Sequence, residues 1–143
     1  MTNWIKIKIK KNSNLNSNFS FLFLCLVTAP PRLIQGLPPS IGSLKNQSLT
    51  IHCRVECHPL CPIQWFINNE NITMNMNSQI FHMETVTHES DVRSGTFGSI
   101  TSYLNILNTS AIQDDDVIMC SSDDNEVGVG VKSQMKYNVE CKQ

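Results

Sequence analysis

Cysteine and histidine side chains are concentrated between residues 52 and 61. His52, Cys53, Cys57, His58 and Cys61 carry atoms that bind zinc, and the same thiols can form disulfides. A zinc site normally needs two paired ligand clusters, and no second C-x₂-C or H-x₃-H pair is present. The C-x₃-C spacing of Cys57 and Cys61 also differs from the C-x-x-C of disulfide-exchange proteins. In an oxidising compartment, a local Cys57–Cys61 disulfide that stiffens its loop is the simplest outcome.

The N-terminal region indicates whether the chain is secreted or cytosolic, and this decides whether the cysteines form disulfides or bind metal. Four lysines between residues 6 and 11 precede an apolar run from Phe19 to Ala29 that ends in Val27-x-Ala29. A basic region, a short apolar core and small residues are typical of a secretory signal peptide, and a membrane anchor needs about 20 apolar residues. Residues 1–29 are therefore predicted to be a signal peptide, followed by a Pro-rich lead-in or edge strand at 30–37. A membrane anchor and translated non-coding sequence are the alternatives.

Three N-x-S/T sequons modestly favour secretion as well. They begin at Asn46, Asn71 and Asn108, each in a predicted loop or at a predicted strand end. A fourth match at Asn18 lies within the predicted signal peptide. The three are predicted to carry N-linked glycans.

Catalytic, cofactor and nucleic-acid sites are not expected. The formal net charge of −1 gives no electrostatic attraction to nucleic acid. The four histidines lack the nucleophile and oriented acid of a catalytic triad, and no glycine loop could cradle a phosphate. The acidic segment Asp114–Asp116 could bind calcium, although a solvated corner is favoured. The chain is accordingly predicted not to be an enzyme and to take no cofactor, metal or small-molecule substrate.

Apolar residues alternate in short runs, which predicts an all-β domain because successive side chains of a strand face opposite sides. The run 48–55 places Cys53 on its apolar face, and the run 63–67 places Trp65 inward and Phe66 outward. Strands are predicted at residues 40–44, 48–55, 63–67, 80–86, 99–107, 117–121 and 129–139.

Cys53, Trp65 and Cys120 together resemble the Cys–Trp–Cys pattern of the immunoglobulin domain. The resemblance implies an immunoglobulin-like antiparallel β-sandwich of variable or intermediate type over residues 38–140, with a Cys53–Cys120 disulfide and a core Trp65. The 67 positions between the two cysteines leave room for extra strands. Before Cys120, the frequent D-x-G/A-x-Y-x-C motif is matched by Asp114, whereas Ile118 replaces the tyrosine.

The resemblance also implies an extracellular, protein-binding role, in a cell-adhesion or cell-surface recognition protein with a homophilic or heterophilic partner. A soluble secreted immunoglobulin protein, such as a decoy or immune-recognition factor, is the alternative. An intracellular metal- or redox-binding protein would require that residues 19–29 are not a signal. The expected partner contacts are Phe66, Asn68, Asp123, Asp124 and Glu126.

Removal of the predicted signal peptide would take away Cys25, and Cys141 is then left over once the other four cysteines pair. It is expected to lie in a truncated tail or linker at residues 141–143. Membrane attachment is expected only through a segment missing from this chain.

Overall fold

A computed structural model describes residues 6–10 and 24–141, with side chains described from residue 28. The described residues do not include most of the predicted signal peptide, namely residues 1–5 and 11–23. They also do not include residues 142–143 of the predicted tail. None of the described residues forms a helix long and apolar enough to cross a membrane. The strands are β1 Lys6–Lys10, β2 Leu24–Gln35, β3 Ser40–Ser43, β4 Leu49–His58, β5 Ile63–Ile67, β6 Glu70–Asn71, β7 Phe81–His88, β8 Ser99–Ile106, β9 Val117–Ser122 and β10 Lys132–Val139, with a 3₁₀ turn at Thr109–Ala111.

The strands form two sheets that pack into a β-sandwich. Sheet I has the order β1-β2-β4-β8-β7, and sheet II has the order β3-β10-β9-β5-β6. Every neighbouring pair is antiparallel except β3 and β10, which run parallel. The predicted all-β sandwich is therefore confirmed, and the short β6 extends sheet II beyond β5.

The Pro-rich segment predicted as a lead-in or edge strand belongs to β2. Ala29 lies opposite His58 and Arg32 lies opposite Glu56 on β4. The register shifts between Ala29 and Arg32, where Pro30 and Pro31 have no N–H group to donate to the ladder. Sheet I consequently includes residues ahead of position 38, where the domain was predicted to begin.

The core lies between the sheets, around the disulfide that joins Cys53 to Cys120. The Cα atoms of the two cysteines are 6.5 Å apart, and Trp65 lies opposite Cys120 in the β5–β9 register. Trp65 is fully buried, and its Nε1 donates a 2.9 Å hydrogen bond to Ser102 Oγ on β8. The bond satisfies the indole N–H across the sandwich, so Trp65 ties sheet II to sheet I. The buried core comprises Ile51, Cys53, Val55, Ile63, Trp65, Ile72, Leu104, Ile106, Ile112, Ile118, Cys120, Met135 and Tyr137.

A buried tyrosine is present in the core, although not at the position where the family motif has it. Ile118, which replaces the motif tyrosine, is fully buried in β9. Tyr137 on β10 is also fully buried, and its hydroxyl lies 2.9 Å from Ser43 Oγ on β3. The pair fastens the parallel edge strand β3 to sheet II.

Strand β4 extends three residues beyond its predicted end at Val55. Glu56 pairs with Ser99, and the Cys57 N–H donates to the Gly98 carbonyl at 3.3 Å. The prediction that Cys57 lies in the loop between two strands was wrong, because this ladder to β8 carries Cys57 into the sheet, where it is buried.

Candidate functional site

The thiols of the cysteine–histidine segment are used in disulfides. Cys57 is bonded to Cys61, with Cα atoms 6.0 Å apart, and both are buried. The ring centroids of His52 and Tyr103 are 5.4 Å apart, whereas His58 is exposed. No group of three metal-binding side chains converges anywhere in the part of the chain that the structure describes. The chemistry of this segment is therefore covalent cross-linking of the β4–β5 region.

The outer face of sheet II carries a cross-strand row of four residues. Because Trp65, Cys120 and Met135 face the core, their sequence neighbours Phe66, Met119 and Gln134 face outward. Phe66 lies opposite both Asn71 on β6 and Met119 on β9, and Met119 lies opposite Gln134 on β10. We call this row, Asn71–Phe66–Met119–Gln134, the sheet II row.

The sheet II row has an apolar centre and polar ends. Phe66 and Met119 are partly exposed, although they lie in the middle of the sheet. Asn71 and Gln134 are uncharged polar residues at either end. An apolar centre with a polar rim is the usual composition of a protein-binding surface.

Two lysines add positive charge beside the row. Lys132 and Lys136 are exposed on β10, at the positions flanking Gln134 on the same face. Lys136 donates a 2.8 Å hydrogen bond to Asp115. This bond is the main cause of a raised pKa of Lys136, and the negative charge of the same carboxylate is the second cause. The ammonium of Lys136 is thus paired with a carboxylate, which balances part of its charge at this rim of the face.

Asn71 is held firmly in its place on β6. Its Nδ2 donates to Gln64 Oε1 at 2.8 Å, and its Oδ1 accepts the N–H groups of Thr73 and Met74 at 3.0 and 3.2 Å. Thr73 Oγ1 accepts the backbone N–H of Trp65 at 2.7 Å. The segment that follows β5 thus includes a short strand, β6, which borders the outer face.

Asn68 does not lie in the sheet II row. It follows β5 with a φ of +48°, a conformation that asparagine tolerates better than most residues. Its Oδ1 accepts the Val117 N–H at 2.9 Å, and its Nδ2 donates to Asp116 Oδ1 at 2.8 Å. Both ends of the amide therefore hold the corner between β5 and β9, which is a structural role.

The carboxylates of the acidic segment also bind backbone groups of this corner. Asp114 Oδ1 accepts the Val139 N–H at 2.7 Å, and Asp116 Oδ2 accepts the Gln113 N–H at 2.8 Å. Asp115 pairs with Lys136. These contacts neutralise part of the cluster and fix the approach to β9.

The predicted contacts Asp123, Asp124 and Glu126 lie in the β9–β10 loop and are exposed. The loop is at the opposite end of sheet II from Asn68, since β5 begins beside Ser122 and ends beside Ile118. Asp124 Oδ1 accepts the Gly130 N–H at 2.6 Å, which closes the loop. The structure does not bring the acidic loop and Asn68 together, and Phe66 lies between them.

Sequence reasoning missed Met119 and Gln134 as members of this face. The signal for Met119 was available, because it stands between inward-facing Ile118 and Cys120 in an alternating run. Gln134 required the register between β9 and β10, which alternation within one strand does not supply.

The predicted glycosylation sites divide into two groups. Asn46 and Asn108 are exposed, in the loops that precede β4 and follow β8. These loops are joined because the Gln47 N–H donates to Thr109 Oγ1 at 3.2 Å and the Thr109 N–H donates to the Gln47 carbonyl at 2.8 Å. Asn71, by contrast, lies on the outer face of sheet II.

Comparison with solved structures identifies the fold. A chain from the complex of Dpr2 Ig1-Ig2 with DIP-Theta Ig1-Ig3 is 24% identical with a TM-score of 0.61, over 79% of this chain and 33% of that one. The N-terminal eight Ig domains of Down Syndrome Cell Adhesion Molecule are 22% identical with a TM-score of 0.58, over 77% and 14%. An I-band fragment from titin is 18% identical with a TM-score of 0.57, over 78% and 33%.

These similarities establish that the chain has the immunoglobulin fold, as the Cys–Trp–Cys pattern predicted. The chain spans about a third of the length of the first of these structures. No protein-family model matches the sequence, and no curated protein matches it.

Proposed function

We propose that this immunoglobulin-fold domain binds an extracellular protein partner through the outer face of sheet II. The domain would belong to a cell-adhesion or cell-surface recognition protein. The observation that carries the proposal is the pair Phe66 and Met119, which stand side by side and partly exposed at the centre of a sheet. Aromatic residues and methionine are enriched in protein interfaces, and an aromatic anchor near the centre contributes much of the binding energy.

The similar structures support a role in protein recognition. One is a complex between Dpr2 and DIP-Theta, and another is named as a cell adhesion molecule. The titin fragment has the same fold, so the fold by itself does not select an extracellular site of action.

Three features support an extracellular location. The disulfides Cys53–Cys120 and Cys57–Cys61 form and persist in oxidising compartments. The proposed signal peptide and the three sequons are the other two features.

Binding should be lost when charge is placed at the centre of the face. Phe66→Glu would have to bury a carboxylate against the partner, and we expect it to weaken binding by about tenfold or more. The assay uses the multimerised wild-type domain against an array of extracellular domains that includes a second copy of this domain. Glu84→Lys, an exposed change on β7 of sheet I, is the matched control and should bind like the wild type.

Thermal melting of both variants establishes that they remain folded. Equal loss of binding in Phe66→Glu and Glu84→Lys would contradict the assignment to this face. Absence of binding to every arrayed domain, including the second copy, would contradict the proposed function.

A secreted product is expected to begin at Pro30. When the full chain is expressed in a secretory cell line, intact mass and N-terminal sequencing of the medium should show cleavage after Ala29. The remaining part of β2 keeps the ion pair between Arg32 Nη2 and Glu56 Oε1, which lie 3.1 Å apart, so this strand should stay attached to β4 in sheet I. Retention of the whole chain inside the cell, with reactive thiols or bound zinc, would instead favour the intracellular alternative.

A further inference from the structure

We propose that an N-linked glycan on Asn71 covers the outer face of sheet II and controls access to it, whereas glycans on Asn46 and Asn108 leave it open. The inference rests on the proposed function of that face and on secretion of the chain. It assigns to the sequon at Asn71 a consequence that the sequons at Asn46 and Asn108 do not share.

The position of Asn71 in the sheet II row carries the inference. Asn71 lies directly opposite Phe66, and residues directly opposite each other in an antiparallel pair point to the same side of the sheet. Its Nδ2, the atom that would bear the sugar, lies 2.8 Å from Oε1 of the outward-facing Gln64. Met119 is one strand further on, about 10 Å from Asn71 at the usual strand spacing. A bulky glycan rooted there would lie over Phe66 and Met119.

The hydrogen bonds of Asn71 are compatible with the modification. The Nδ2 atom carries two hydrogens, and one of them donates to Gln64. In the transfer from a lipid-linked oligosaccharide pyrophosphate, a bond forms between Nδ2 and the sugar C1 while the C1–O bond breaks. The lipid pyrophosphate leaves, and Nδ2 gives up one proton to a base of the transferase. The second N–H remains able to donate to Gln64, which would hold the first sugar beside the face.

The other two sequons lie away from this face. Asn46 and Asn108 flank β4 and β8, which are strands of sheet I. Glycans on these exposed loops would extend from one end of the sandwich. They therefore provide a control that has the same chemistry at a different place.

The test measures access to the face without requiring a partner. The full chain carrying Cys141→Ser and Met119→Cys is secreted from eukaryotic cells and labelled with a polyethylene-glycol maleimide. Labelling of the new thiol should be several-fold slower with the glycans present than after enzymatic removal. Glu84→Cys in the same Cys141→Ser background places the thiol on sheet I, and its labelling rate should not change.

Single-site variants assign the effect to one glycan. Asn71→Asp removes the sequon but keeps an oxygen for the Thr73 and Met74 N–H groups, and it should restore fast labelling of the thiol at position 119. Asn108→Asp removes a sequon on the sheet I side and should leave the labelling of the thiol at position 119 slow. The inference is overturned if peptide mass spectrometry finds Asn71 unmodified, or if glycan removal leaves the rate at position 119 unchanged. These outcomes are independent of the binding array, so failure of the proposed function and failure of this inference can be told apart.

Discussion

Replacing Cys53 and Cys120 together with alanine is expected to lower the free energy of unfolding by about 4 kcal/mol. The disulfide closes a loop of 67 residues, and chain-entropy arguments give this size for a loop of that length. A loss of this size is a large part of the stability of a small domain, which is about 5–15 kcal/mol. Urea denaturation of the secreted domain, followed by tryptophan fluorescence, measures the change.

The second disulfide provides the matched control. Cys57 and Cys61 are only four positions apart, so the same argument gives about 2 kcal/mol for their double replacement by alanine. Both pairs are buried, and both double variants remove the same atoms. A larger loss from the Cys57/Cys61 variant than from the Cys53/Cys120 variant would contradict the view that Cys53–Cys120 is the principal constraint.

The residues that build the core were the most predictable part of the molecule. The alternation around Cys53 and Trp65 placed both side chains inward, and β5 runs from Ile63 to Ile67 as predicted. Such patterns are local, because burial on one side of a strand repeats every second residue. Ile118 lies two residues before Cys120 in the same alternating run, and it is fully buried as well.

The candidate face was only partly predictable, because it depends on which strands become neighbours. Phe66 was expected to face outward. Its neighbour Met119 comes from β9, which is far from β5 in the sequence, and its neighbour Asn71 comes from the two-residue strand β6. Asn68 was expected to contact a partner, whereas its amide binds Val117 and Asp116. Polar side chains in turns also form hydrogen bonds with nearby backbone groups, and only the geometry of the corner distinguishes this use from contact with a partner.

The sequence did not indicate how far strand β2 extends along β4 in sheet I. Pro30 and Pro31 suggested a lead-in or an edge, since proline cannot donate to a ladder. In the structure, the pairing of β2 with β4 shifts register at the two prolines and resumes with Arg32 opposite Glu56. A shift of this kind depends on the facing strand, so it leaves no periodic signal in the segment itself.

Replacement of Trp65 by alanine is expected to destabilise the domain by about 3–5 kcal/mol, because a large cavity would open beside the Cys53–Cys120 disulfide. The indole is fully buried and donates its N–H to Ser102 Oγ, which is also buried. The loss therefore combines missing packing with a hydroxyl that has no donor. Urea denaturation, followed by circular dichroism because the variant lacks this fluorophore, measures the change.

A double-mutant cycle separates the hydrogen bond from the packing. Trp65→Phe keeps an aromatic ring but leaves Ser102 Oγ without its donor, and we expect it to cost about 1–3 kcal/mol beyond the loss of contact area. Ser102→Ala in the Trp65→Phe background removes the unsatisfied hydroxyl and should recover part of that loss. If the two single changes are instead additive, the bond between the sheets contributes nothing, and Trp65 stabilises the sandwich through packing alone. A recovery would mean that Trp65 also fixes how sheet II sits on sheet I, and hence the support beneath Phe66 and Met119.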